Sequence, residues 1–258
     1  MSSQPERKGK EPAHTLLTDR ATHELVMRLI GRDFPGGGQR REAIDVPCGA
    51  GALSVRLRDL GFSVTCCDID PGHFEPTGFR HVQADLNKPL PLQSRMFDCV
   101  VSVAGLQRLH CPETAVSEFH RILKPGGTLY LSIPNYADLR RRLRFLLYGT
   151  LGSRFDNPKF RQTLDLPEAH FRFPLTYSRV DHMVRAAGLE IQEVCSQPTD
   201  LFPYFFLPLT LCVCAASWVR AMARPSERSS YRRGTTIRML RSKAFVVIAR
   251  KPTPAAGK

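Results

Sequence analysis

The sequence predicts an α/β fold in which helices cover both faces of a largely parallel sheet. A short apolar stretch, 44–46, runs into a loop with glycines at 49 and 51, and helical sequence follows. A second apolar stretch, 62–67, ends in the acids Asp68 and Asp70. A strand, a glycine turn, a helix and a strand ending in an acid are typical of the first half of a doubly wound sheet.

The glycine loop has the properties of a ligand-binding turn. Gly49 and Gly51 permit positive φ values and allow the backbone to approach a ligand closely. The N–H groups at the start of the next helix are directed to the same place. Ser54 stands where a dinucleotide fingerprint has glycine or alanine, and Asp45 would repel a phosphate. A ligand with an ammonium or sulfonium group is therefore expected, with an ordinary strand–turn–helix corner as the alternative.

Further elements follow in an alternating order. A first helix is predicted at 18–30, with Thr18 as its N-cap and Leu25, Met27 and Leu29 facing the core. The helix predicted at 112–123 has proline in its first turn and ends at a Lys-Pro-Gly-Gly turn. Five more strands and one more helix complete the prediction: strands 82–86, 97–103, 128–134, 189–195 and 243–250, and helix 178–187.

From Asp45 to Pro134, the order and spacing of these motifs resemble the class I S-adenosylmethionine-dependent methyltransferases. Two features depart from the family pattern: Pro47 replaces a usual glycine, and Gln107-Arg108 replaces a frequent Glu-His pair. The resemblance implies a Rossmann-like, seven-stranded doubly wound sheet, with helical insertions after strand 5 and between strands 6 and 7. It also implies that strands 6 and 7 form an antiparallel pair at the sheet edge, and that S-adenosyl-L-methionine is the cofactor.

The resemblance further implies roles for individual residues. Asp45, Gly49 and Gly51 would surround the methionine part of the cofactor, and Asp68, 23 residues after Asp45, would bind the ribose hydroxyls. The remaining cofactor residues would frame the adenine or lie near the sulfonium. For the adenine these are Ile69, Asp85 and Leu86, and for the sulfonium they are Ser102 and Val103.

Composition limits the environment and the partners. The formal charge of +13 requires an anionic partner or surface, and the basic blocks 140–161 and 220–251 both lie outside the cofactor half. The 8 cysteines are scattered without a disulfide or zinc spacing, which favours a reduced, cytoplasmic compartment and predicts no metal site. The start of the chain lacks the apolar region of a signal peptide.

Two segments carry apolar residues beside arginines. Residues 139–147 form an amphipathic basic pattern, which suits either a helix packed on the core or an interfacial helix. Residues 201–219 carry no charge and are followed by arginines, but Pro203 and Pro208 oppose one straight helix. We expect this segment to lie on the anionic inner face of the membrane. A lid over the pocket, a homodimer surface and a transmembrane span are the alternatives.

The domain boundaries follow from these patterns. Residues 1–14 are predicted to be a flexible tail, and residues 15–258 one methyltransferase domain. Within it, 136–175 is predicted as a substrate cap and 198–242 as the apolar and basic insertion.

The expected function is O-methylation of a small, lipid-linked or glycan-linked acceptor. His170, in the insertion after strand 5, is the candidate base, with His110 as a second candidate and a purely structural histidine as the alternative. An RNA methyltransferase is an alternative favoured by charge alone. No nucleic-acid partner is expected, because aromatic residues do not alternate with the arginines. A non-catalytic binding protein that retains the fold is the other alternative.

Overall fold

The computed structural model describes residues 19–149, 173–198, 207–224 and 233–254, and these contain a mixed seven-stranded sheet. The strands are β1 (Glu42–Asp45), β2 (Ser63–Asp68), β3 (Arg80–Gln83), β4 (Phe97–Val103), β5 (Leu123–Pro134), β6 (Glu190–Pro198) and β7 (Ser242–Arg250). The helices are α1 (Arg20–Asp33), α2 (Ala52–Asp59), α3 (Pro112–Ile122), α4 (Leu139–Tyr148), α5 (Tyr177–Ala186), α6 (Leu207–Ala223) and α7 (Ile237–Leu240).

The strand order is β3-β2-β1-β4-β5-β7-β6. Strands β1 to β5 pair in parallel, whereas β7 runs antiparallel to both β5 and β6. The predicted Rossmann-like class and the antiparallel pair at the sheet edge are confirmed. The order reverses between β1 and β4, so the carboxyl ends of these two strands border the crevice in which such sheets bind ligands.

The core has one apolar cluster on each face of the sheet. Along β4, Val100 packs into the cluster covered by α3 and α5, and its neighbour Val101 packs into the cluster covered by α1 and α2. Both side chains are fully buried, because successive residues of a strand face opposite sides and both sides are covered by helices. The three apolar residues predicted to face the core from α1, Leu25, Met27 and Leu29, are also buried.

Several predicted boundaries need correction. The N-cap residue of α1 is Asp19 rather than Thr18, which lies outside the described residues, and α1 continues to Asp33. Strand β5 begins at Leu123, directly after α3, because Leu123 already has extended backbone angles and pairs with Phe97. The Lys-Pro-Gly-Gly turn therefore lies within β5, where the register of its pairing with β4 shifts.

Helix α4 follows β5, and helices α6 and α7 lie between β6 and β7, within the two predicted insertions. Pro208 lies in the first turn of α6, where a missing N–H removes no helical hydrogen bond. Residues 201–206 of the apolar segment lie outside the described part of the chain, as does the 1–14 tail. The boundaries of the tail and insertions stay predictions. Among the described helices, none combines the length and apolarity needed to cross a bilayer.

A buried asparagine connects the two insertions. Asn135 follows β5, and its side-chain amide donates hydrogen bonds to the carbonyls of Met239 at 2.7 Å and Ser242 at 2.9 Å. Its backbone N–H also donates to the carbonyl of Lys243. The loop that leads to α4 is therefore attached to the junction between α7 and β7.

Candidate functional site

The glycine loop is held between the two strands that flank β1. Beyond the end of β1, the Val46 N–H donates to the carbonyl of Val101 in β4, and the Cys48 N–H donates to the carbonyl of Cys67 in β2, both at 2.9 Å. The loop therefore lies across the crevice between β2 and β4. Its peptide bond between Val46 and Pro47 is cis.

The two glycines have the conformations that the sequence predicts. Gly49 and Gly51 both have positive φ, at 51° and 83°, and Gly51 is the N-cap residue of α2. A Cβ atom on Gly51 would lie 2.7 Å from side-chain atoms of Phe74 and Pro76. This glycine is therefore required by its backbone angle and by the close approach of the segment that follows β2.

Asp68, at the end of β2, fixes the loop through its carboxylate. One oxygen accepts the Gly49 N–H at 2.8 Å, and the other accepts the Asp70 N–H at 3.2 Å. A carboxylate has about four lone-pair sites, so these two bonds leave capacity for hydroxyl donors. The pattern of acids in the sequence predicts Asp68 as a ligand residue, but it does not reveal this structural role.

Asp45 is buried at the end of β1, with 1% of its surface exposed. Desolvation raises its pKa to about 7, the charge of Asp68 adds to the rise, and a 2.7 Å hydrogen bond from the Ser54 hydroxyl opposes it. A buried carboxylate without a cation is costly, so a positively charged ligand group beside it would be stabilising. In the sequence Ser54 is only a departure from the dinucleotide motif, whereas in the structure its hydroxyl donates the hydrogen bond to Asp45.

The tip of β4 completes this edge of the sheet. Ser102 is fully buried, and its hydroxyl oxygen has no hydrogen-bond partner within the described structure. Ala104 has a positive φ of 54°, and a Cβ atom on Gly105 would lie 2.3 Å from Pro47. The loop after β4 therefore packs directly against the glycine loop. Val103 is buried among the residues that pack under α1 and α2.

The three residues predicted to frame the adenine lie in different surroundings. Ile69, next to Asp68, is 47% exposed, so its side chain offers an apolar surface to a flat ligand. The Asp85 carboxylate accepts hydrogen bonds from the backbone and side chain of Asn87, which lowers its pKa against the effect of burial. Leu86 is buried in the core cluster under α3 and α5. Its side chain thus supports the site from the core.

Gln107, in the segment after β4, contributes to the site, although in the sequence it is only a departure from the family's Glu-His pair. Gln107 is buried; its side-chain amide donates to the Ala104 carbonyl at 2.6 Å, and its side-chain oxygen has no partner among the described residues. The Phe173 N–H donates to the Gln107 carbonyl at 2.7 Å, and the Phe173 ring lies 5.4 Å from the ring of His110.

The candidate base, His170, lies outside the described residues. Within them, no three His, Cys, Asp or Glu side chains are arranged to hold a metal ion.

A methyltransferase-domain family model matches residues 44–131, which run from β1 into β5. Over 150 residues the chain is 33% identical to malonyl-[acyl-carrier protein] O-methyltransferase of Enterobacter lignolyticus, covering 55% of this chain and 57% of that protein. Over 180 residues it is 26% identical to a ubiquinone biosynthesis O-methyltransferase of Pseudomonas aeruginosa, covering 65% and 72%. The chain thus spans little more than half of the first relative's length.

A solved structure gives the same fold. The Burkholderia thailandensis 1,6-didemethyltoxoflavin-N1-methyltransferase, crystallised with S-adenosylhomocysteine, matches 91% of this chain and 80% of its own, with a TM-score of 0.54 and 15% identity. At that identity the likeness concerns the fold alone. Residues 44–131 thus match the methyltransferase-domain family model, and the described strands and helices have the fold of the class I methyltransferases.

Proposed function

We propose that this protein transfers a methyl group from S-adenosylmethionine to an oxygen atom of a small, lipid-linked or glycan-linked acceptor. The observation that carries the proposal is the set of polar groups at the carboxyl edge of β1, β2 and β4. There a buried Asp45, the loop bonded to Asp68 and the unpartnered Ser102 hydroxyl border one crevice. The O-methyltransferases among the relatives support oxygen as the acceptor atom.

The residues at this edge fit the chemical groups of the cofactor. Asp45 suits a cationic group, because its ionised form lacks a positive partner in the described structure and its pKa is raised by burial. Asp68 retains acceptor capacity for ribose hydroxyls, and exposed Ile69 offers an apolar contact for adenine. The buried Ser102 hydroxyl needs a hydrogen-bond partner, which a polar part of the cofactor would supply.

The bound cofactor supplies an activated methyl group, so the protein contributes alignment, exclusion of water and a base for the acceptor. We assign the base to His170, whose neutral imidazole would accept the hydroxyl proton as the new bond forms. Phe173, three residues later, contacts Gln107 and His110 at the loop after β4, which supports an acceptor site on this side. The unpartnered side-chain oxygen of buried Gln107 is suited to accept a hydrogen bond from the acceptor.

Two measurements test the proposal in sequence. Calorimetry with S-adenosylmethionine and S-adenosylhomocysteine should give saturable binding, with ATP and NAD as controls that bind much more weakly. Extracts of small molecules, lipids and glycans should then be incubated with the purified protein and cofactor labelled in its methyl group. Label in an organic-extractable product would support the proposal, with alkali-labile label indicating a methyl ester. For alkali-stable label, analysis of the product distinguishes a methyl ether from methylation of nitrogen or carbon.

Other outcomes would contradict the proposal at separate points. Absence of cofactor binding would overturn it entirely. Binding without transfer to any fraction would favour the non-catalytic alternative. Transfer confined to RNA, abolished by nuclease treatment, would favour the RNA methyltransferase that the net charge of +13 leaves as a candidate.

A further inference from the structure

Helix α6 has the reverse of the usual polarity of a surface helix. The residues it buries are small or polar: Thr210 and Ala221 are both 1% exposed, and Cys214 between them is partly buried. Its large apolar side chains are instead exposed: Leu207, Leu209, Leu211, Trp218, Val219 and Met222. Trp218, for example, is 58% exposed. Soluble helices normally direct such residues into the core, so this face is built for an apolar environment outside the domain.

The exposed residues of α6 form an ordered stripe. Leu207, Leu211, Trp218 and Met222 are separated by 4, 7 and 4 positions, a spacing that keeps them on one side of a helix. The helix contains no acid, and its only charged residue is Arg220, near its end. The stripe is therefore continuous and apolar, with positive charge confined to one end.

Helix α4 repeats this arrangement. Only Leu139, its first residue, is buried, whereas the run from Phe145 to Tyr148 is exposed, with Leu146 at 78%. Its sequence has four arginines and no acid, and Arg140 and Arg144 are exposed. The alternative in which this helix packs its leucines on the core is therefore wrong for the last turn.

Both helices are attached to the region around α7. Helix α6 packs against α7. The Cys214 thiol also donates to the Thr235 carbonyl at 3.2 Å, in the segment before α7. Because Asn135 attaches the start of the α4 insertion to the end of α7, both helices are fixed to the same part of the fold.

We propose that α4 and α6 together form a docking surface for a bilayer containing anionic lipid. Apolar side chains would enter the acyl region, Trp218 would lie near the interface, and arginines would contact headgroup phosphates. A second copy of the chain fits less well, because an isologous contact would bring arginines against arginines with no acid in either helix. The proposal does not depend on the proposed chemistry, although α4 begins five residues after the carboxyl end of β5.

The sequence contains a built-in probe, because Trp218 is its one tryptophan. The full-length protein is titrated with vesicles of equal parts phosphatidylcholine and phosphatidylglycerol, and with pure phosphatidylcholine vesicles. We expect a blue shift of Trp218 emission and co-sedimentation with the anionic vesicles, both weakening as salt is added. Brominated lipids should quench the emission, which would report contact of α6 with the acyl chains.

Matched charge reversals test the surface itself. Arg144→Glu changes an exposed residue of α4, and Arg28→Glu changes an exposed residue of α1 by the same net charge. The first should weaken vesicle binding by at least about fivefold, the effect of one basic residue at an anionic surface, and the second should leave it near wild type. Leu146→Ser/Leu147→Ser should also weaken binding, and because both side chains are exposed, the melting temperature should stay unchanged.

Three results would overturn the proposal. The first is unchanged Trp218 emission with no co-sedimentation at low salt. The second is an equal loss for both charge reversals, which would indicate attraction by overall charge alone. The third is a blue shift that needs only higher protein concentration and coincides with a dimer in sedimentation velocity, which would assign the surface to a second copy. Cofactor binding measured without vesicles is unaffected by any of these results.

Discussion

The Asp68 carboxylate accepts the backbone N–H of Gly49 at 2.8 Å, so the end of β2 directly fixes the glycine loop that follows β1. The residue proposed to bind the ribose therefore also determines the position of the loop proposed to bind the methionine part. Removing the side chain would abolish both functions of this carboxylate at once. Substitutions that retain different parts of the side chain can separate them.

Asp68→Ala should lower the cofactor affinity about tenfold or more, because a hydrogen bond to a charged group is worth about 1.5–3 kcal/mol. Asp68→Asn keeps one carbonyl oxygen for the Gly49 N–H, so it should retain more of the thermal stability than Asp68→Ala while still losing affinity. Calorimetry and thermal melting check both variants. Asp70→Ala is the neighbouring control; its carboxylate accepts the Gly72 N–H, and affinity should change by less than about threefold. Equal affinity for Asp68→Ala and wild type would contradict the ribose role.

The raised pKa of Asp45 predicts a pH dependence of binding. A ligand cation favours the ionised carboxylate, so S-adenosylmethionine affinity should increase as the pH rises through about 7. The Ser54 hydroxyl lowers this pKa, so Ser54→Ala should move the midpoint of the affinity profile to higher pH. Calorimetry across this pH range measures both midpoints. An affinity independent of pH in both proteins would show that Asp45 does not titrate against the ligand.

The same group affects stability without ligand. Between the ordinary carboxyl pKa of 3.8 and about 7, the folded protein keeps a proton that the unfolded chain has lost. The contribution of Asp45 to the free energy of unfolding should therefore fall as the pH rises through this window and level off above it. Asp45→Asn removes this contribution. Denaturant unfolding of the variant and the wild type at several pH values gives the difference directly.

Gly51 and Gly31 form a contrasting pair. Gly51→Ala places a Cβ atom within 2.7 Å of Phe74 and Pro76 at a positive φ, so it should lower the melting temperature and weaken cofactor binding. Gly31 lies inside α1, where an added Cβ atom would meet nothing within 4 Å, so Gly31→Ala should raise stability by roughly 0.5–1 kcal/mol. Thermal and denaturant unfolding measure both effects. A Gly51→Ala protein as stable as wild type would remove the steric argument for this loop.

His170→Ala tests the assigned base. Loss of a general base should reduce turnover by about 10²–10⁴ and leave cofactor affinity and melting temperature nearly unchanged. His182, exposed on α5, is the matched control, and His182→Ala should retain wild-type turnover. His110→Ala examines the second candidate, which lies against Phe173. Near-wild-type turnover of His170→Ala, or a loss that follows unfolding, would leave the insertion histidine with a structural role only.

The two apolar segments show what hydrophobic periodicity can predict and what it cannot. The pattern of 139–147 predicted an amphipathic helix, and α4 has the predicted bounds within one residue. The pattern did not decide between a core-facing and an outward apolar face, because that depends on which neighbours cover the helix. Pro208, which was expected to oppose a helix, lies inside α6, because proline is tolerated in a first turn. Pro203 lies outside the described residues, so the expectation for 201–206 stays a prediction.

The sequence by itself determined the succession of strands and helices along the chain, the positive-φ glycines and the acids at the ends of β1 and β2. These follow from local rules, namely hydrophobic period and the conformational freedom of glycine, whereas the doubly wound sheet was expected from the family resemblance. Only the tertiary structure decided that Asp45 is buried and accepts a hydrogen bond from Ser54, and that Leu86 is part of the core. It also decided that Asn135 joins the two insertions and that the large apolar side chains of α6 are exposed. Each of these depends on contacts between residues distant in sequence or on the burial that packing creates, which no local pattern contains.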